Sequence, residues 1–253
     1  MIKINRLSKP TQLTDTVQRN LTEEFKRDGK KAVWNKKYIK EQLLKMSHGK
    51  CCYCECKIGN GASEMHIDHF KPKKVYPELV VEWENLLPSC SYCNKKKSDH
   101  DTGEKPIIDP TKDSPKEYLY FKNYRYYSRS LVKDSKGMMT LDVLDLNNST
   151  EKVIDRYKIG NQIQEDLKDL YDEIDGRRDL LKSNTRMRNR VYRKCTGILQ
   201  QALPASQYAA LIATVIHTDP YYPKIKLILE ENEVWDSEMQ KLHDDSVKIE
   251  LTE

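Results

Sequence analysis

The sequence predicts a mostly helical α+β chain built around a small, turn-rich centre. Three observations predict this class. Apolar residues recur at helical spacing before Ser47 and again beyond Ser149. Between them, residues 50 to 100 hold every cysteine except Cys195 and few large apolar side chains. After them comes "YLYFKNYRYYS" (118 to 128), an aromatic composition that suits short strands.

A chain of 253 residues is long enough for one large domain or two small ones. No apolar run approaches the roughly 20 residues that cross a bilayer. The start, MIKINRLSKP, carries basic residues but no apolar stretch of the secretory kind, so a cytoplasmic protein is expected. The formal charge of +5 permits nucleic-acid binding without demanding it. Lysine clusters "FKRDGKK", "KPKK" and "NKKK" are more pointed, because the last two flank the histidine and cysteine motifs. Any one of them alone reads as a solvated face.

The elements follow in order. Val17, Leu21 and Phe25 lie at i, i+4, i+8, and Asp28-Gly29 ends that helix. A second helix is expected from Asn35 to Ser47, with Asn35 as N-cap and Gly49 as the stop. "MHIDHF" reads as extended, since Pro72 discourages helix just before it. "CSYC" should form a tight knuckle running into a helix through Asn94 and Lys97. "PIIDPTKDSP" is a connector, and residues 118 to 128 with "LV" before the "KDSKG" turn suggest two or three short strands. Those tyrosines could stack on bases, though half-buried strand side chains are the commoner reason for them. Val153, Tyr157, Ile163, Leu167, Leu170, Tyr171 and Ile174 then form an interrupted helical stripe. "RRDLLKSNTRMRNRVYRK" is strongly basic and suits a phosphate backbone, an acidic partner or simply solvent. Leu203 to Ile216 is apolar enough for a buried helix.

Seven cysteines in a reducing compartment argue against a disulfide framework. Two pairs share one spacing, Cys51-x-x-Cys54 and Cys90-x-x-Cys93. One CxxC could be a redox pair; two in one neighbourhood favour a tetrahedral structural zinc held by four thiolates. Cys52 and Cys56 fall outside the paired register and are not expected as ligands.

Between the pairs lies "HIDHFKPK" (66 to 73). It is not the HExxH zinc-protease motif, whose histidines lie at i, i+4 on a helix. Asp68 is a hard oxygen ligand for a cation such as Mg2+ or Mn2+. His69, with an ordinary pKa near 6.5, can take a proton from water at neutral pH. Asn94, directly after Cys93, can complete the metal site opposite Asp68, and Asn85 can hold the loop or orient His69 through its backbone. His66 shares a strand face with Asp68. It reads as a supporting residue, with phosphate binding or replacement of Asp68 at the metal as its other uses.

The order C-x-x-C, D-H, N-L, C-x-x-C-N-x-x-K, on Cys51, Cys54, Asp68, His69, Asn85, Leu86, Cys90, Cys93, Asn94 and Lys97, resembles the HNH endonucleases. Their ββα-metal site is stabilised by a four-cysteine zinc. Many relatives have histidine where Asn94 stands. "EFKRDGKKAVW", "IDP" and "LDVLDLNN" followed by Arg156 are similar to PtuB-like proteins of Septu and retron-associated anti-phage systems. That resemblance covers roughly the first 160 residues. It implies a toxic nuclease acting with a PtuA-like ATPase, in some systems with a retron reverse transcriptase and its multicopy DNA–RNA. It also implies metal-assisted hydrolysis, with His69 as base, Asp68 and Asn94 on Mg2+ or Mn2+, and Lys71, Lys73 and Lys97 as phosphate contacts. The expected organisation is an N-terminal helical segment (1–48), an HNH module (49–115), a short-strand region (116–147) and a helical C-terminal region (148–253) for partner or substrate. DNA is the favoured substrate and structured RNA such as tRNA the alternative. From a different class comes a zinc-knuckle module that binds nucleic acid or a partner without cutting it.

Overall fold

The computed structural model describes residues 1–59 and 63–253. Backbone packing divides the chain into two units, Met1–Leu119 with Tyr127–Asn147, and Tyr120–Tyr126 with Asn148–Glu253. About half of the residues are helical and the strands are few and short, which makes the protein α+β.

The first unit opens on helix α1 (Asp15–Arg27). Thr14 caps it, its hydroxyl accepting from the Val17 N–H at 3.3 Å, and Leu21 and Phe25 are buried. Helix α2 (Lys37–Met46) buries Ile39, Leu43 and Met46. Asn35 is not its cap: Lys36 holds that position and offers no side-chain bond. Gly49 does act as the stop, at φ +67, with its N–H donating to the Leu44 carbonyl at 2.8 Å.

Strands β1 (Met65–His69) and β2 (Leu86–Cys90) pair antiparallel in a register that sets Met65 against Cys90 and His69 against Leu86. Helix α3 (Ser91–Lys97) starts without a linker at the end of β2. Two strands and one helix therefore stand in the expected ββα order. The cysteine knuckle is tied to this hairpin by the Cys52 N–H, which donates to the Pro88 carbonyl at 2.9 Å.

Strands β3 (Leu119–Lys122) and β4 (Arg125–Ser128) form a hairpin whose tip residues, Tyr120–Tyr126, are assigned to the second unit. Asn123 and Tyr124 both have positive φ, as a two-residue hairpin loop requires. Leu131 and Val132, expected near a third strand, are instead 93% and 70% exposed in a loop. "KDSKG" does not end in a turn. Helix α4 (Lys136–Leu144) begins at Lys136, and Gly137 sits where a Cβ would come within 2.8 Å of the Tyr118 carbonyl oxygen. Close packing explains that glycine better than turn geometry does.

The second unit is helical. A π-turn at Ser149–Val153 leads into α5 (Ile154–Asp175), followed by α6 (Leu180–Ser183), α7 (Thr185–Gln200), α8 (Ala209–Thr218), α9 (Tyr222–Glu231) and α10 (Ser237–Val247). α5 packs on α7, α8 and α9 through Ile163, Leu167, Leu170 and Ile174. Tyr157, expected in that stripe, is 49% exposed, and Arg156 and Gly160 are buried instead. The basic run 177 to 194 is broken at Asn184, which caps α7. α8 is buried from Ala209 through Ile216 and forms the core of this unit; residues 203 to 208, expected inside it, precede it as turns. Among the described residues, no helix is long and apolar enough to cross a membrane.

Candidate active site

The cysteine knuckle comes first, because it fixes the elements that carry the rest. The sulfurs of Cys51, Cys54, Cys90 and Cys93 all lie within 4.8 Å of one another, and all four residues are buried. A tetrahedral zinc with Zn–S near 2.3 Å needs sulfurs about 3.8 Å apart. Cys54 and Cys90 are 3.7 Å apart, so this cluster can hold zinc. Cys52 and Cys56 are not among these four, although the Cys56 thiol neighbours Cys51, Cys54 and Cys90. Cys90 also caps α3, its sulfur accepting from the Cys93 N–H at 3.4 Å.

His69 ends β1, 5% exposed. One ring nitrogen, Nε2, lies 2.8 Å from the Val80 carbonyl oxygen. A carbonyl only accepts, so Nε2 carries the proton and Nδ1 keeps its lone pair. Burial, reinforced by the Lys73 ammonium, pushes the His69 pKa down to about 4, and the imidazole is neutral at pH 7. The Trp34 ring lies at right angles to it with centroids 4.8 Å apart.

Asn85 is buried and faces the backbone. Its Oδ1 accepts from the Lys71 N–H at 2.8 Å, and its Nδ2 donates to the carbonyls of Lys71 and Leu79. It thereby clamps the chain leaving β1 to the loop whose next residue, Val80, receives His69. Asn85 thus braces the backbone beside His69 and is not among the residues that line the cleft.

Asp68 is 3% exposed, and both carboxylate oxygens are engaged. Tyr53 donates its hydroxyl to Oδ2 at 2.6 Å and Lys97 its ammonium to Oδ1 at 3.1 Å. Lys97 also donates to the His69 carbonyl at 2.6 Å and is 1% exposed. The expectation that Lys97 touches substrate phosphate is therefore corrected. Its charge is spent inside the protein on Asp68, and it braces β1 against α3. Lys71 is exposed, its ammonium 5.2 Å from the Tyr76 ring centroid. Lys73 sits 4.9 Å from that of Trp34.

Asp68, His69, Asn94, His66, Lys73 and Trp34 all line one cleft of about 490 Å³. His66 Nε2 lies 3.4 Å from a Glu64 carboxylate oxygen without making a hydrogen bond. Asp68, already shared with Lys97, and the Asn94 amide are oxygen donors in this cleft that could hold a hard divalent cation. Tyr53, Val80 and Trp34 were not singled out from the sequence. The first lies within the cysteine motif, but nothing in the spacing says that its hydroxyl reaches Asp68.

Residues 51–100 match the family model described as HNH endonuclease. With the ββα order and the polar cleft, this defines the class: the protein is an HNH endonuclease, a phosphodiester hydrolase acting on nucleic acid. Over 96% of its length the chain is 38% identical to Septu protein PtuB of Bacillus thuringiensis, covering 92% of that relative. It is also 30% identical to Septu protein PtuB of Bacillus mycoides (strain KBAB4), over 49% of this chain and 55% of the relative. The chain belongs to the Septu PtuB family.

Proposed function

We propose that the protein is the metal-dependent nuclease effector of a Septu anti-phage system, partnered by a PtuA-like ATPase and cutting DNA. The observation that carries the catalytic part is the His69 imidazole, fixed by the Val80 carbonyl through Nε2 in a cleft shared with Asp68 and Asn94. Neutral His69 takes a proton from water on Nδ1 as the water oxygen attacks phosphorus in line. The P–O3′ bond breaks, and the 3′ oxygen leaves and takes up a proton from solvent. Asp68 and Asn94 would hold Mg2+ or Mn2+, which supplies charge stabilisation for the phosphorane and the leaving oxygen. Lys97 and Tyr53 hold the Asp68 carboxylate oriented, and Asn85 keeps the His69 and Lys71 loops in register. Residues 49–115 are the nuclease module in this reading, and 148–253 supply partner or substrate surface.

The test compares wild type with His69→Ala on plasmid DNA and total cellular RNA, with Mg2+ or Mn2+, alone and with any copurifying partner. Cutting by wild type alone is the expected result, and the polymer degraded decides between DNA and RNA. Undiminished cutting by the variant removes His69 from the role. No cutting by either, with metal and partner present, replaces the nuclease by a zinc-knuckle binding module.

A further inference from the structure

The cleft has a wall that the nuclease family match does not cover. Trp34, Asn35 and Lys40 line it from the segment before residue 51, together with His66, Asp68 and His69 of β1. Lys40 lies on α2, next to buried Ile39, and is half-buried at the cleft. Its ammonium makes no ion pair with the described residues, whereas Lys37 on the same helix pairs with Glu41 at 3.8 Å. Lys73, reaching the cleft from the loop after β1, likewise has no carboxylate partner among the described residues; its ammonium rests over the Trp34 ring. Asp99, an acidic residue in the lining, is already paired with Lys74. Two cations without an ion pair among the described residues thus line the cleft that holds His69, together with the Glu64 carboxylate, and one of them is held by an aromatic face that also packs on the His69 ring. A cation held over a π face keeps its full charge and loses little on meeting an anion.

We propose that Trp34 and Lys40, with Lys73 of the loop after β1, form a backbone-phosphate subsite beside the scissile bond. Lys40 and Lys73 contact the phosphates, and Trp34 acts as the positioning residue for Lys73. The proposal rests on the nuclease reading for the identity of its ligand. Phosphate is common to DNA and RNA, so the subsite takes either polymer.

The experiment measures binding on a His69→Ala background, where no cutting interferes, using a fluorescein-labelled DNA duplex and a labelled RNA hairpin across a salt series. Lys40→Ala and Lys73→Ala should each weaken binding about fivefold and flatten the salt dependence on the duplex by about 0.9 in log–log slope. Trp34→Leu should weaken binding as Lys73→Ala does. The Trp34→Leu/Lys73→Ala double variant should be no worse than either alone, because the two act as one unit. Trp34→Phe, which keeps a ring face, should restore binding. Zinc content and melting of each variant report folding, and Lys40→Ala, on a helix surface, keeps the test open if Trp34→Leu does not fold. Unchanged affinity and slope in Lys40→Ala and Lys73→Ala overturn the subsite, as does failure of the parent to bind either probe. Additive effects of Trp34 and Lys73 overturn the positioning role. Failure of wild type to cut, with these binding effects intact, would sink the nuclease reading and leave the subsite standing.

Discussion

Lys97 and Lys71 look alike in the sequence and differ in what surrounds them. Lys97 is buried against Asp68 and the His69 carbonyl, and Lys71 is exposed beside Tyr76. Removing one partner of a buried ion pair leaves an uncompensated charge and costs about 3–5 kcal/mol, whereas surface changes usually stay within about 0.5 kcal/mol. Lys97→Met should therefore lower the unfolding free energy by about 3 kcal/mol in urea titrations, and Lys71→Ala should leave it nearly unchanged. Equal effects would mean that Asp68 does not depend on Lys97. Asn85→Ala should mainly lower kcat, because it frees the loops that hold His69 and touches no substrate; a change confined to KM would contradict that. The ligand and base candidates were legible because their chemistry is written in residue type and spacing: Cys51, Cys54, Cys90, Cys93, Asp68, His69. Depth was not, since burial of Lys97 depends on Tyr53 and β1 meeting α3 across the fold.

At the level of elements, α3 is tied to the knuckle twice, through the Cys90 cap and through the zinc that Cys90 and Cys93 could hold with Cys51 and Cys54. Cys90→Ser separates the two contributions. Serine is among the best N-caps, so the cap survives, while a thiolate ligand is lost. The variant should lose zinc and the cooperative melting of the central module; an unchanged melting transition would show that the cap alone suffices. Helices with a clear apolar stripe and stop signals, α1 and α2, were legible to within a residue or two. α4 was not. Its Gly137 mimics a turn signal, but the residue is small because Tyr118 and Ser128 crowd that turn of helix. α5 buries the expected face from Ile163 to Ile174 and departs from it only in its first turns, where Arg156 is accommodated over the Phe121 and Tyr126 rings and Tyr157 is left outside.

At the scale of the whole molecule, both units should be sensitive to acid, for different reasons. In the first, a zinc held by the four cysteines would have to compete with protons for their thiolates. In the second, His217 at the end of α8 lies 2.7 Å from the Ser246 hydroxyl of α10, with the His243 ring 5.1 Å away and Tyr222 bonded to His243 Nδ1 at 2.7 Å. Burial, then His243 and Lys226, push the His217 pKa down to about 4. Burial and Lys226 also lower that of His243, against the opposing pull of Asp244 and Glu230. Both rings are therefore neutral in the folded unit at pH 7. Between the ordinary value near 6.5 and about 4, the unfolded chain binds more protons than the folded one. The contribution of His217 is then fully present above about pH 6.5 and is lost as pH falls toward about 4, and that of His243 is lost in the same direction. Because the rings retain some solvent contact, the loss is partial. Melting curves of wild type and His217→Gln from about pH 7.5 to about pH 5, with zinc content followed at each step, separate the two causes. Glutamine cannot take up the proton, so the variant should lose less melting temperature than wild type over that interval while releasing zinc at the same pH. Parallel losses in the two proteins would place the acid sensitivity in the zinc knuckle and take His217 out of the account.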